Sequence, residues 1–341
     1  LKDHVAPKDT QPLAAKGEHD RYGWVDIAKG IGIASVVMAH VVQHGPYVAF
    51  ATFYCVQIFF FLSGNFFTPR SDWKRYLRRK ATSLLVPYLG LLILFSPFHF
   101  AESFVMGKPW WKATIDLALG GVWLDRQLGV VWFLPCLFIS QQLLNWMVMH
   151  WPFRRVLTAN LAMLVLAWSI TALAPHLCFP LDVNAVLIAS PTVLAGYLYH
   201  LYARPWMRPT AWLLAALGFV LCLLDWPVYV NLKQGEFGIP VLSFVLCIAA
   251  TMVVMQISPT LHRLPILSPV LVSLGRMSMG IMCLQEALRL SPGIFAFTEA
   301  HRKTGFLLVL ASSWAISMLL IRLYILLNKI LNPAVASTQS I

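Results

Sequence analysis

Apolar runs of about 20 residues recur along this chain, and each is long enough to cross a bilayer as a helix. They constrain the fold more than any other feature. In lipid the backbone must satisfy its own hydrogen bonds, so such runs fold as helices packed into a bundle. The composition agrees: 59% of the 341 residues are hydrophobic and 12% are charged, against about 25% charged in an ordinary soluble domain. The reading is an all-α, polytopic membrane protein with about ten transmembrane helices. The spans fall near 24–44, 48–67, 82–104, 128–149, 158–175, 184–202, 210–225, 238–257, 268–290 and 305–327. Asp225-Trp226-Pro227 stops the seventh, because proline cannot continue a helix. Residues 1–20 read as a flexible cytoplasmic tail, 21–330 as one membrane domain and 331–341 as a second tail.

The net charge of +12 does not point to nucleic acid. The basic residues sit in short segments between the apolar runs, which suits membrane orientation, lipid head groups or an anionic substrate. With the N-terminus in the cytoplasm, sixteen Lys and Arg fall on the cytoplasmic side and six on the other. Both termini are therefore expected inside. The six cysteines form no CxxC pair and lie mostly in apolar runs. They read as packing residues, with no disulfide framework and no metal site.

The first span, within RYGWVDIAKGIGIASVVMAHVVQHG at 21–45, carries Asp26, Lys29 and His40. At about 100° per residue, the eleven steps from Lys29 to His40 return to nearly the same helix face. Asp26 lies about 40° from it. The histidine stands roughly 16 Å above the lysine at about 1.5 Å per residue. Ionisable residues inside a span are costly, and three on one stripe read as a functional site. An interfacial Asp26–Lys29 pair with a packed His40 is the structural alternative. The densest basic segment, RSDWKRYLRRK at 70–80, places Arg75, Arg78 and Arg79 on one helix face. Guanidinium forks match phosphate oxygens, although the segment also serves as a positive-inside anchor.

Several motifs carry a family resemblance. Lys29, ten residues, then His40 resembles the Arg/Lys-x10-His motif of the membrane-bound acyltransferase family 3, and Arg75-Tyr76-Leu77-Arg78 resembles its RxxR. Phe59-Phe60-Phe61-Leu62-Ser63-Gly64, Leu84-Leu85-Val86-Pro87-Tyr88 and Val131-Trp132-Phe133-Leu134 are similar to later family segments, in the family's order. Ser63 and Gly64 read first as small residues for close helix approach, and Pro87 as a kink. Near the end, Leu274 to Gln285 looks like "LG-x-x-S-x-x-IYLLH", but Gln285 stands where the family has histidine. That departure leaves the second histidine's role unassigned. Glu286 follows it, spaced to neutralise Arg289. Nearly the whole chain is covered, with 150–265 matching only as a series of spans.

The resemblance implies a membrane O-acetyltransferase of the fucose 4-O-acetylase-like branch, serving surface polysaccharides such as xanthan-type gums in a bacterial inner membrane. It implies cytoplasmic acetyl-CoA as donor and a lipid-linked glycan or exopolysaccharide as acceptor. His40 is then the general base, with Asp26 and Lys29 in the catalytic stripe. Lys29, Arg75, Arg78 and Arg79 hold donor phosphates. Gln285, Glu286 and Trp132 contact the acceptor, although Trp110, Trp111, Trp123 and Trp132 also suit a membrane-interface belt. Direct transfer and an acyl-histidine relay both remain open. Two other functions fit the pattern: a flippase for a lipid-linked sugar, and a non-enzymatic partner in a polysaccharide assembly complex.

Overall fold

The computed structural model describes residues 23–331; the expected tails lie outside them except for Leu331, which ends the last helix. Among the described residues the architecture is helical, with a single isolated antiparallel bridge between Asn231 and Glu236. The helices are α1 (Gly23–Val42), α2 (Pro46–Thr52), α3 (Gln57–Asn65), α4 (Trp73–Val105), α5 (Trp110–Leu119), α6 (Phe133–His150), α7 (Phe153–Leu173), α8 (Val183–Tyr202), α9 (Met207–Leu223), α10 (Leu242–His262), α11 (Leu267–Arg276), α12 (Ser278–Arg289), α13 (Pro292–Ala300) and α14 (Arg302–Leu331).

Eight described segments are long and apolar enough to cross a membrane, and the bent pair α11–α12 makes a ninth. The protein is a polytopic membrane protein. The expected seventh span is α9, a shorter apolar helix of 17 residues. The second span is in two pieces, α2 and α3, joined through Phe53–Val56. The third is longer than its apolar run: α4 takes in the basic segment as its first two turns and continues through Pro87 and Pro97. The ninth span, expected as one helix over 268–290, instead turns by 80° between α11 and α12.

Burial sorts the helices into centre and rim. In the most apolar windows of the α6 and α8 spans 67% of residues are buried within the protein, against 11% for α4 and 17% for α14. The exposed Leu, Ile and Phe of α4 and α14 form surfaces suited to lipid, where apolar exposure carries no penalty. Helices α3 and α8 make a close contact at the centre. A Cβ on Gly64 would sit 1.8 Å from the Val193 carbonyl oxygen, so only glycine lets these backbones meet. Five of the six cysteines are buried, and all six are free thiols.

The two ends of α1 meet different surroundings. Its first turns face the junction of α11 and α12. Its last turn faces α12 and a cap formed by 121–128 and 231–236. Lys233 ties this cap together by donating to the Leu124 carbonyl at 2.8 Å and to Asp125 at 3.2 Å. Arg126 pairs with Glu102 at the end of α4.

Candidate active site

Two chambers lie along α1, one at each end of its polar stripe. The chamber at the N-terminal end has a volume of about 720 Å³ and is lined by Asp26, Lys29, Ser63, Arg276 and Ser278 among apolar residues. Asp26 lies 3.6 Å from Lys29 and 3.3 Å from the Nε of Arg276. One carboxylate thus holds two cations in the same wall, leaving one net positive charge there. Packing of α1 on α11 makes this arrangement. A Cβ on Gly275 would lie 1.8 Å from the Asp26 backbone oxygen, so glycine there brings the next residue, Arg276, beside the Asp26 carboxylate.

The chamber at the other end has a volume of about 460 Å³. His40, Gln57, Trp132, Lys233 and Glu286 lie on its wall. The His40 Nδ1 is 3.3 Å from Glu286 Oε2. Glu286 also accepts from Arg289, at 3.1 Å on Oε2 and by a second contact on Oε1. The Glu286 side chain is 7% exposed, whereas that of His40 is 37% exposed. The histidine therefore opens onto the chamber while its partner is enclosed. The carboxylate meets the ring at Nδ1, which leaves Nε2 as the ring nitrogen turned away from it. The segment on either side of the 80° turn at Met277 serves both chambers, with Arg276 on the first wall and Glu286 on the second.

Other expected site residues divide between these walls and elsewhere. Trp132 is buried in the wall of the second chamber, not in an interface belt, whereas Trp110 and Trp111 are exposed. Gln285 is 1% exposed and lies off the chamber wall, with neither amide atom hydrogen-bonded among the described residues. Arg75, Arg78 and Arg79 are exposed on the first turns of α4 and line neither chamber. Their position is fixed locally. Asp72 accepts from the Arg75 backbone N–H, and the Asn145 amide exchanges two hydrogen bonds with the Arg70 backbone.

Two wall residues escaped sequence reasoning. Arg276 lies within the Leu274–Gln285 motif, and its pairing with Asp26 across 250 positions has no local signal. Gln57 did carry one, as a lone amide in the run Tyr54-Cys55-Val56-Gln57-Ile58-Phe59. It is 2% exposed, and its Oε1 has no partner among the described residues. No group of three His, Cys, Asp or Glu side chains able to hold a metal occurs among the described residues.

A family model described as an acyltransferase domain matches residues 22–327. No curated protein matches the chain, and no solved structure does.

Proposed function

The chain belongs to the acyltransferase family whose domain spans nearly all of it, and on that premise we propose that it is an acetyl-CoA-dependent O-acetyltransferase of a bacterial inner membrane, acting on a sugar hydroxyl of a lipid-linked glycan or exopolysaccharide. The observation that carries the chemistry is the His40–Glu286 pair on the chamber wall. Glu286, held by Arg289, orients the imidazole and balances the charge it gains. Nε2 takes the proton of the acceptor hydroxyl, and the oxygen attacks the acetyl carbonyl carbon. The carbon–sulfur bond then breaks. The coenzyme A thiolate leaves and takes the proton back from the imidazolium, so the step balances. Gln57 and Trp132 are the wall residues suited to the acceptor, through an amide for hydroxyls and an aromatic face for the sugar ring.

The donor enters at the chamber of Asp26, Lys29 and Arg276. The excess of Lys and Arg on that side supports its being cytoplasmic, with both termini inside. Lys29 and Arg276 then meet donor phosphates. Arg75, Arg78 and Arg79 act at longer range, raising the local concentration of the anion. The polysaccharide branch and any assembly complex rest on motif resemblance, and the domain limits of 21–330 are carried over from the spans.

The test uses membranes containing the protein or its His40→Ala variant, labelled acetyl-CoA and a bacterial lipid-linked glycan fraction. Label should enter glycan only with the parent. Transfer by both proteins would move the base away from His40. With folded protein and a verified acceptor, no transfer by either would turn the reading toward lipid-linked sugar transport.

A further inference from the structure

The two chambers share two wall residues, Phe133 and Met282. Both are apolar and buried. A Cβ on Gly32 would lie 2.5 Å from the Ile58 side chain and 3.2 Å from the Cys55 backbone oxygen, so about one turn past Lys29 the α1 backbone packs closely on Ile58 of α3 and on Cys55 just before it. On α12 the chamber-lining residues are Ser278 and Met279 below, Met282 at the level of contact, and Glu286 above. At one helical turn per step they form a continuous face, with Met282 at its waist.

We infer that Phe133 and Met282 form a gate between the two chambers, through which a slim, uncharged acyl thioester arm passes, and that this gate selects short acyl groups. This rests on the donor route proposed above. The two residues have different parts. Phe133 is the fixed side: its ring lies edge-on to Phe60 at 5.2 Å and to Phe59 at 5.7 Å. Met282 is the moving side, because an unbranched thioether with three rotatable bonds reshapes readily. An apolar waist admits the thioester arm but disfavours phosphate, which stays with Lys29 and Arg276. A bulkier acyl group needs a wider opening than one methionine rotamer gives.

The gate can be tested without any chemistry taking place. Ala39 lies on the second chamber's wall and is half-buried, so an Ala39→Cys variant reports entry there. Membrane vesicles of both orientations are treated with a membrane-impermeant thiosulfonate reagent, and labelling at position 39 is read by peptide mass spectrometry. With the gate intact, label enters from the outer face alone. Adding Phe133→Ala and Met282→Ala should raise labelling from the Asp26 face by at least about tenfold. Met282→Ala alone, which leaves the ring cluster in place, should give an intermediate rise and serves if the double variant is lost from membranes. Equal labelling from both faces in the parent would overturn the gate, as would unchanged labelling in every variant. A second readout compares acetyl, propionyl and butyryl donors, and Met282→Ala should narrow the preference for acetyl severalfold. If the parent transfers no acyl group, the enzymatic reading fails while the labelling still decides the gate.

Discussion

The Nδ1 of His40 lies 3.3 Å from the Oε2 of Glu286, although 246 residues separate them in sequence. The contact joins the last turn of α1 to the face of α12. Glu286 is itself gripped by Arg289 one turn away. The carboxylate is enclosed and the imidazole faces the chamber, an arrangement that fits the base role proposed for His40 better than the neutralising of a surface charge.

Replacing Glu286 with Gln keeps the size and removes the charge. The amide can still contact Nδ1 but no longer fixes the tautomer or balances an imidazolium. Transfer should fall about 10²–10⁴-fold in kcat, with the KM for the donor near that of the parent. Steady-state kinetics on purified protein measures this split. An equal loss in kcat and in folded yield would mean that Glu286 serves structure instead. Either variant leaves the largely enclosed Arg289 without its charge partner, at a cost of up to about 3–5 kcal/mol, and Glu286→Ala is the poorer probe because it also removes every acceptor for the guanidinium.

How much of this was legible in the sequence depends on whether the signal was local. The stripe of Asp26, Lys29 and His40 follows from helical periodicity, and the structure keeps it on one helix with a chamber at each end. The pairing of Glu286 with Arg289 was also visible, because i and i+3 are neighbours on any helix. The contacts Asp26–Arg276 and His40–Glu286 were not. They depend on how α1 seats against α11 and α12, and on an 80° turn inside what reads as one apolar run. The role of Gly275 depends on the same packing. The preceding Leu274 and following Arg276 look like any motif until the opposing backbone is in place.

At the other chamber, Lys29 and Arg276 share the charge of Asp26, so neither is fully neutralised. Lys29→Gln and Arg276→Gln should each raise the KM for acetyl-CoA by roughly tenfold, equivalent to about 1.4 kcal/mol. The effect on kcat should be small, since donor binding precedes the step at His40. Initial-rate measurements over a range of donor concentrations will show this. A fall in kcat at unchanged KM would place these cations in the chemistry and not in donor capture.

Arg75, Arg78 and Arg79 stand outside the chamber, so their effect should act through the field and not through contact. Changing all three to Gln should raise the donor KM a few-fold at low ionic strength, and the difference should fade near physiological salt, where the Debye length is about 8 Å. A salt-independent loss would indicate direct phosphate contact. If the segment is only a topological anchor, kinetics will be unchanged while the membrane orientation of the chain, read by protease accessibility of the termini, will shift.

The last prediction concerns the seam that brings both cations to Asp26. A methyl group at position 275 would meet the Asp26 carbonyl at 1.8 Å, far inside van der Waals contact, and the obstacle is backbone that cannot rotate away. Gly275→Ala must therefore push α11 off α1 and draw Arg276 away from the Asp26 carboxylate. It should destabilise the protein by about 1–3 kcal/mol, as overpacking does, and raise the donor KM toward that of Arg276→Gln. Gly293 is the control, since a Cβ there meets nothing within 4 Å. Gly293→Ala should leave both quantities near those of the parent. Thermal unfolding in detergent, run beside donor titration, separates the two effects. Gly275→Ala with parent stability and parent KM would mean that the helices adjust without moving Arg276, and that the close contact does not govern the donor chamber.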